Sequence, residues 1–108
     1  MREFPESDWK VLRAVKADAL DRYCARVLDE CRAAIDGKGS SHERYLRLFE
    51  LLQERDETLS DAFDDMRRST AYYGLTHLRN LGLLTNDEFA RFSPETREAV
   101  LLISGEYR

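Results

Sequence analysis

Five glycines, two prolines, two cysteines and no apolar run longer than Ala99–Ile103 are what this chain of 108 residues is short of. So few turn formers argue against an all-β sandwich, which needs a turn roughly every 8–12 residues, and the abundance of Ala, Leu, Arg, Glu and Asp favours helix. The longest apolar run falls far short of the ~20 residues of a membrane span. Arg2-Glu3-Phe4-Pro5-Glu6 stands where a secretory leader would carry an apolar core, so a cytoplasmic protein without a membrane partner is expected. With 17 basic and 21 acidic residues and a net charge of −4, the chain repels a phosphate backbone, and no nucleic-acid partner is expected.

The scarce chemistry is as informative. Neither His42 nor His77 follows a Glu by three residues, so a di-iron carboxylate bundle lacks its ligands. The two Cys and two His have no zinc-type spacing. Gly37-Lys38-Gly39-Ser40 follows a helix and lacks the spacing of a phosphate-cradling loop. No catalytic residue, metal or cofactor is therefore assigned. Cys24 and Cys31 would stand about 10 Å apart on a helix at ~1.5 Å per residue, beyond the ~7 Å reach of a disulfide. They are expected to be small buried thiols in a reducing compartment.

What remains is helical pattern. Tyr45, Leu52, Leu59, Met66 and Tyr73 recur every seven residues, a row on one side of a helix, widened by Leu48, Ala62, Phe49 and Phe63. Leu20, Tyr23, Cys24, Val27, Leu28, Cys31 and Ile35 follow the i, i+3, i+4, i+7 template in an earlier segment. The spacing predicts an all-α fold, one domain over 1–108, with an up-down bundle of four to six helices. A long central helix of about 41–66 is expected to form a hairpin with a helix over 17–36, followed by short C-terminal helices. Trp9 anchors a separate first helix capped by Ser7 or Asp8, with a break at Lys16-Ala17-Asp18.

The hairpin turns on Gly37-Lys38-Gly39-Ser40, and Ser40 with Glu43 forms a capping box. Glu43 with Arg47, and Asp64 with Arg68, have the spacing of i, i+4 ion pairs. An unbroken helix over 41–81 would be about 60 Å long, against a radius of gyration near 13 Å for a compact domain of this size. A break is expected near Arg55-Asp56 or at Arg68-Ser69-Thr70; the alternative is an overhanging helix covered by a second copy. Gly82 ends a helix, Thr85 and Glu88 form a second capping box, Leu84 and Phe89 a hydrophobic staple, and Ser93-Pro94 starts the last helix. Leu81-Gly82-Leu83-Leu84-Thr85-Asn86-Asp87-Glu88-Phe89 resembles the helix-turn of short helical hairpin modules, including SHOCT-type ones thought to mediate association. The likeness covers under a tenth of the chain, and capping chemistry alone generates it, so it is read as local structure.

Three functional readings follow. The first is a protein-interaction module that forms a homodimer through the third helix and the apolar last helix, with Tyr72, Tyr73, Leu101, Leu102 and Ile103 as interface candidates. The second is an adaptor or inhibitor that docks a basic protein through the acidic segment, with Glu54, Glu57, Asp61, Asp64 and Asp65 as its patch. The third is a small-molecule pocket or weak enzyme built on Arg55, His77 and the tyrosines, with Arg55, Asp56 and His77 as candidate buried polar residues on a largely apolar face and His77 placed to meet a cysteine of the preceding helix.

Overall fold

The computed structural model describes residues 2–106 and consists of five α-helices joined by short connections. They are α1 (Glu6–Ile35), α2 (Ser41–Phe63), α3 (Ala71–Asn80), α4 (Asn86–Ala90) and α5 (Pro94–Ser104), with a single 3₁₀ turn at Arg68–Thr70. No strand occurs among the described residues. The expected all-α architecture, with its hairpin, long helices and short C-terminal helices, is the one observed.

Two helix boundaries differ from the sequence reading. The expected break at Lys16-Ala17-Asp18 is absent, and α1 is one helix of 30 residues, about 45 Å long. The cause is a buried row, Asp8, Leu12, Val15, Ala19 and Tyr23, that runs through those residues without interruption. No Gly or Pro halts it, and Asp18 has no helix start to cap. The central helix stops at Phe63, short of residue 66, and the chain turns at Asp64–Arg67. There the Thr70 hydroxyl accepts from the Arg67 amide at 3.0 Å and lies 3.0 Å from the Asp65 carbonyl. The break is therefore beside Arg68-Ser69-Thr70, while Arg55 and Asp56 sit within continuous helix.

The core lies at one end of the molecule. Phe4, Leu12, Val15, Ala19 and Tyr23 pack with Ala62 and Phe63 from the end of α2 and with Ala71, Leu75, Leu78, Leu83, Phe92 and Val100. Burying side chains of this size contributes about 1.5–3 kcal/mol each relative to exposure. Trp9 is half-buried against this cluster. This end, the head, holds the first half of α1, the end of α2, and α3 to α5.

Buried polar groups fix how the head closes. Asp8 does not cap α1, which starts at Pro5 without a side-chain cap. Instead its carboxylate accepts from the Ser93 amide at 2.8 Å, the Ser93 hydroxyl at 2.7 Å and the Thr96 hydroxyl at 2.5 Å. The first turn of α1 is thereby bound to the start of α5, and all three donors are satisfied in the interior. Gly82, at φ +71°, closes α3 in a Schellman motif, with Leu83 N–H donating to Leu78 C=O at 3.0 Å and Gly82 N–H to Arg79 C=O at 2.9 Å.

The other half of the hairpin, residues 24–58, projects from the head as an arm. The molecule measures 54 × 25 × 21 Å with a radius of gyration of 16.7 Å, against about 13 Å for a compact chain of similar length. The tip is held by polar contacts. Ser40 Oγ accepts from the Glu43 amide at 3.1 Å, completing the expected capping box. Arg44 donates to the Ile35 carbonyl at 2.7 Å, and Arg47 to that of Lys38. These guanidinium groups satisfy carbonyls at the end of α1 and the turn beyond it. Arg47 thus turns away from Glu43, and Arg68 turns away from Asp64 to pair with Glu6 at 2.6 Å, so neither expected i, i+4 pair forms.

Candidate protein interface

Along the arm, residues 24–58, Cys31 is the one buried residue among those described. On α1, Leu28 and Ile35 are exposed. On α2, so are Tyr45 at 63 %, Phe49 at 51 % and Leu52 at 45 %. Leu28 and Ile35 are one heptad apart, as are Tyr45 and Leu52, so each pair lies in a row along its helix. Leu28 and Leu52 share a groove of about 240 Å³ with Cys24, Asp56 and Leu59. Ile35 and Tyr45 share a second recess of about 320 Å³ with Leu48. One member of each row lines each recess, which makes these residues one apolar face along a single side of the arm. Leu46, 43 % exposed, lies farther round α2.

Arg55 and Asp56 part company in this face. Arg55 crosses the hairpin to Glu30, with Nε 3.1 Å and Nη2 2.8 Å from the carboxylate. That hydrogen-bonded pair holds Glu30 below the usual carboxylate range, with burial opposing it. Tyr23 donates to the Arg55 carbonyl at 2.9 Å, so Arg55 joins the two helices where the arm leaves the head. Asp56 remains exposed in the apolar groove.

The other candidates are dispersed. Tyr72 is a core residue, not a surface aromatic, and meets Phe4 edge-on at 4.9 Å. Tyr73 is exposed at 64 % and Leu102 at 57 %, whereas Leu101 and Ile103 are half-buried and Ile103 packs on the core. The last helix therefore turns most of its apolar run inward and exposes one large residue of it. Glu54, Glu57, Asp61 and Asp64 recur at helical spacing and are all exposed, an acidic row along α2 that ends at its C-cap, Asp64. Asp65 lies past the helix end and pairs with Arg67 at 3.0 Å. His77 is half-buried in a recess with Asp61, Met66 and Tyr73, separate from the grooves that hold Arg55 and Cys24. Neither an Arg55–His77 site nor a Cys24–His77 pair is assembled. Both cysteines are free.

Two structural side chains escaped the sequence reading. Arg22 donates to both Glu88 oxygens, at 2.6 and 2.9 Å, and to the Leu83 carbonyl at 2.8 Å. Arg26, one turn on, donates to the Leu81 and Gly82 carbonyls at 2.7 and 2.5 Å. Together they clamp the α3–α4 turn onto α1. Their signal was their position beside the buried row of α1, which sequence alone could not distinguish from a solvated flank.

Among the described residues, no cluster of three or more His, Cys, Asp or Glu is placed to hold a metal, and no helix is long and apolar enough to cross a membrane. No family model, curated protein or solved structure matches this chain.

Proposed function

We propose that this chain is a protein–protein interaction module that self-associates through its projecting arm. The observation that carries the reading is the exposed apolar face of Leu28, Ile35, Tyr45 and Leu52, with exposed Phe49 beside it on α2, on a hairpin that lacks a third helix to cover it. Two amphipathic helices joined by a short turn bury such a face by pairing with a second hairpin into four helices. A cytoplasmic setting belongs to the same reading: the two cysteines, too far apart on α1 to bridge each other, are left as free thiols of the kind a reducing compartment preserves.

Size-exclusion chromatography with light scattering on the full chain tests the reading. A dimer is expected, and the Phe49→Glu/Leu52→Glu variant is expected to run as a folded monomer. A strict monomer at high micromolar concentration would remove self-association.

The exposed row of Glu54, Glu57, Asp61 and Asp64 supports a second reading, an adaptor that docks a basic protein surface. Salt-sensitive binding to a lysine-rich peptide, lost in Glu57→Lys/Asp61→Lys, would favour it. Equal binding by the variant would dispose of it.

A further inference from the structure

We infer that the second copy lies antiparallel along α2, so that Tyr45 of each chain meets Asp56 of the other. The inference rests on the self-association proposed above and adds its geometry. His42, Tyr45, Phe49, Leu52, Asp56 and Leu59 are spaced alternately by three and four residues, the repeat of a seam between paired helices. Phe49 and Leu52 stand exposed at its centre, and Tyr45 and Asp56 flank them.

The order of this row selects an orientation. With two copies of α2 antiparallel and centred between Glu50 and Leu51, Phe49 opposes Leu52, Tyr45 opposes Asp56 and His42 opposes Leu59. The exposed apolar centre, Phe49 with Leu52, then meets itself across the seam, and the carboxylate meets a hydroxyl donor. In the parallel, in-register alternative each residue meets itself, which sets Asp56 against Asp56 inside an apolar seam. Two like charges there are strongly unfavourable.

Asp56 requires such a partner because its neighbour does not supply one. Arg55 is turned across the hairpin to Glu30, which leaves Asp56 in the groove beside Leu28 and Leu52. A carboxylate covered by apolar surface without a donor is costly. The wider charge pattern agrees. The first half of α2 is balanced, with Arg44 and Arg47 against Glu43 and Glu50, whereas the second half carries Glu54, Asp56, Glu57 and Asp61 against Arg55 alone. Antiparallel packing sets the acidic half of each chain beside the balanced half of the other, with opposed helix dipoles, whereas parallel packing stacks acidic half on acidic half.

A charge exchange within one chain tests the orientation. Tyr45→Glu places a second carboxylate opposite Asp56 and should weaken the dimer at least about tenfold. Adding Asp56→Lys to that variant restores an opposite-charge pair in the antiparallel arrangement, so the double variant should regain most of the lost affinity. In a parallel dimer the same double variant sets Glu on Glu and Lys on Lys in place of Glu on Glu and Asp on Asp, and should associate no better than Tyr45→Glu. Sedimentation equilibrium of the full-length chains measures all four. Rescue supports the antiparallel seam. A wild-type dimer that Tyr45→Glu leaves intact, or that the double variant fails to restore, overturns the orientation and leaves self-association standing. A monomeric wild type overturns both.

Discussion

Removing the Arg22 guanidinium should flatten the acid limb of the stability curve. Hydrogen bonds from Arg22, opposed by burial and aided by the Thr85 amide, hold the Glu88 carboxyl at about 2, below its ordinary 4.5. Because the folded value is the lower one, the unfolded chain takes up the proton first as pH falls. The stabilisation is therefore complete above the unfolded value and is lost between about pH 4.5 and 2. A shift of that size corresponds to at most about 3.4 kcal/mol at 1.36 kcal/mol per unit. Arg22 is 35 % exposed, and screening by the water that reaches it reduces this to about 1–2 kcal/mol.

Arg22→Met keeps the apolar stem and removes the ion pair. Urea unfolding followed by circular dichroism, at fixed protein concentration and at several pH values from about 7 to about 2, gives the difference between wild type and variant. The other carboxylates titrate in both chains, so the difference isolates Glu88. At neutral pH the variant should lose about 2–3 kcal/mol, because the Leu83 carbonyl and the Glu88 carboxylate lose a donor. That deficit should shrink by about 1–2 kcal/mol toward pH 2. A deficit independent of pH would refute the assignment of the shift to Arg22.

Asp8→Ala leaves the Ser93 amide and two hydroxyls without their acceptor and should cost about 3–4 kcal/mol in urea unfolding; a loss under about 1 kcal/mol would show that the Asp8 lock is dispensable. Gly82→Ala forces a side chain into φ +71°, although space is available beside Arg26. It should lower stability by about 1–2 kcal/mol by thermal melting, and an unchanged midpoint would mean the turn relaxes.

The parts of the fold that could be read in the sequence are those whose partners lie within a few residues. Ser40 with Glu43, Thr85 with Glu88, Gly82 and Ser93-Pro94 each carry their geometry locally, and each marks a real helix end. The errors lie where a distant partner decides. Asp8 is a good local cap in sequence, yet α5 claims it across the head. Lys16-Ala17-Asp18 reads as a joint because its side chains are polar, but Val15 and Ala19 on either side are fully buried in one continuous row. Arg22, Arg26, Arg44 and Arg47 bind carbonyls of turns, and backbone acceptors leave no trace in residue type. At the candidate interface, periodicity located the α2 row but not how far it would remain uncovered. That depended on α3 and α5 packing at one end of the hairpin only. Tyr72 went wrong for the same reason, since Phe4, distant in sequence, covers it.

The uneven distribution of buried side chains along the hairpin should divide the molecule into two cooperative units of unequal strength. Beyond Tyr23 the arm has little interior of its own, so its amide hydrogens should exchange with solvent through openings that leave the head intact. Occupation of the face would then act as a clamp on fraying. A partner would be registered first as stiffness at the tip, remote from the place where the chain keeps most of its folding free energy.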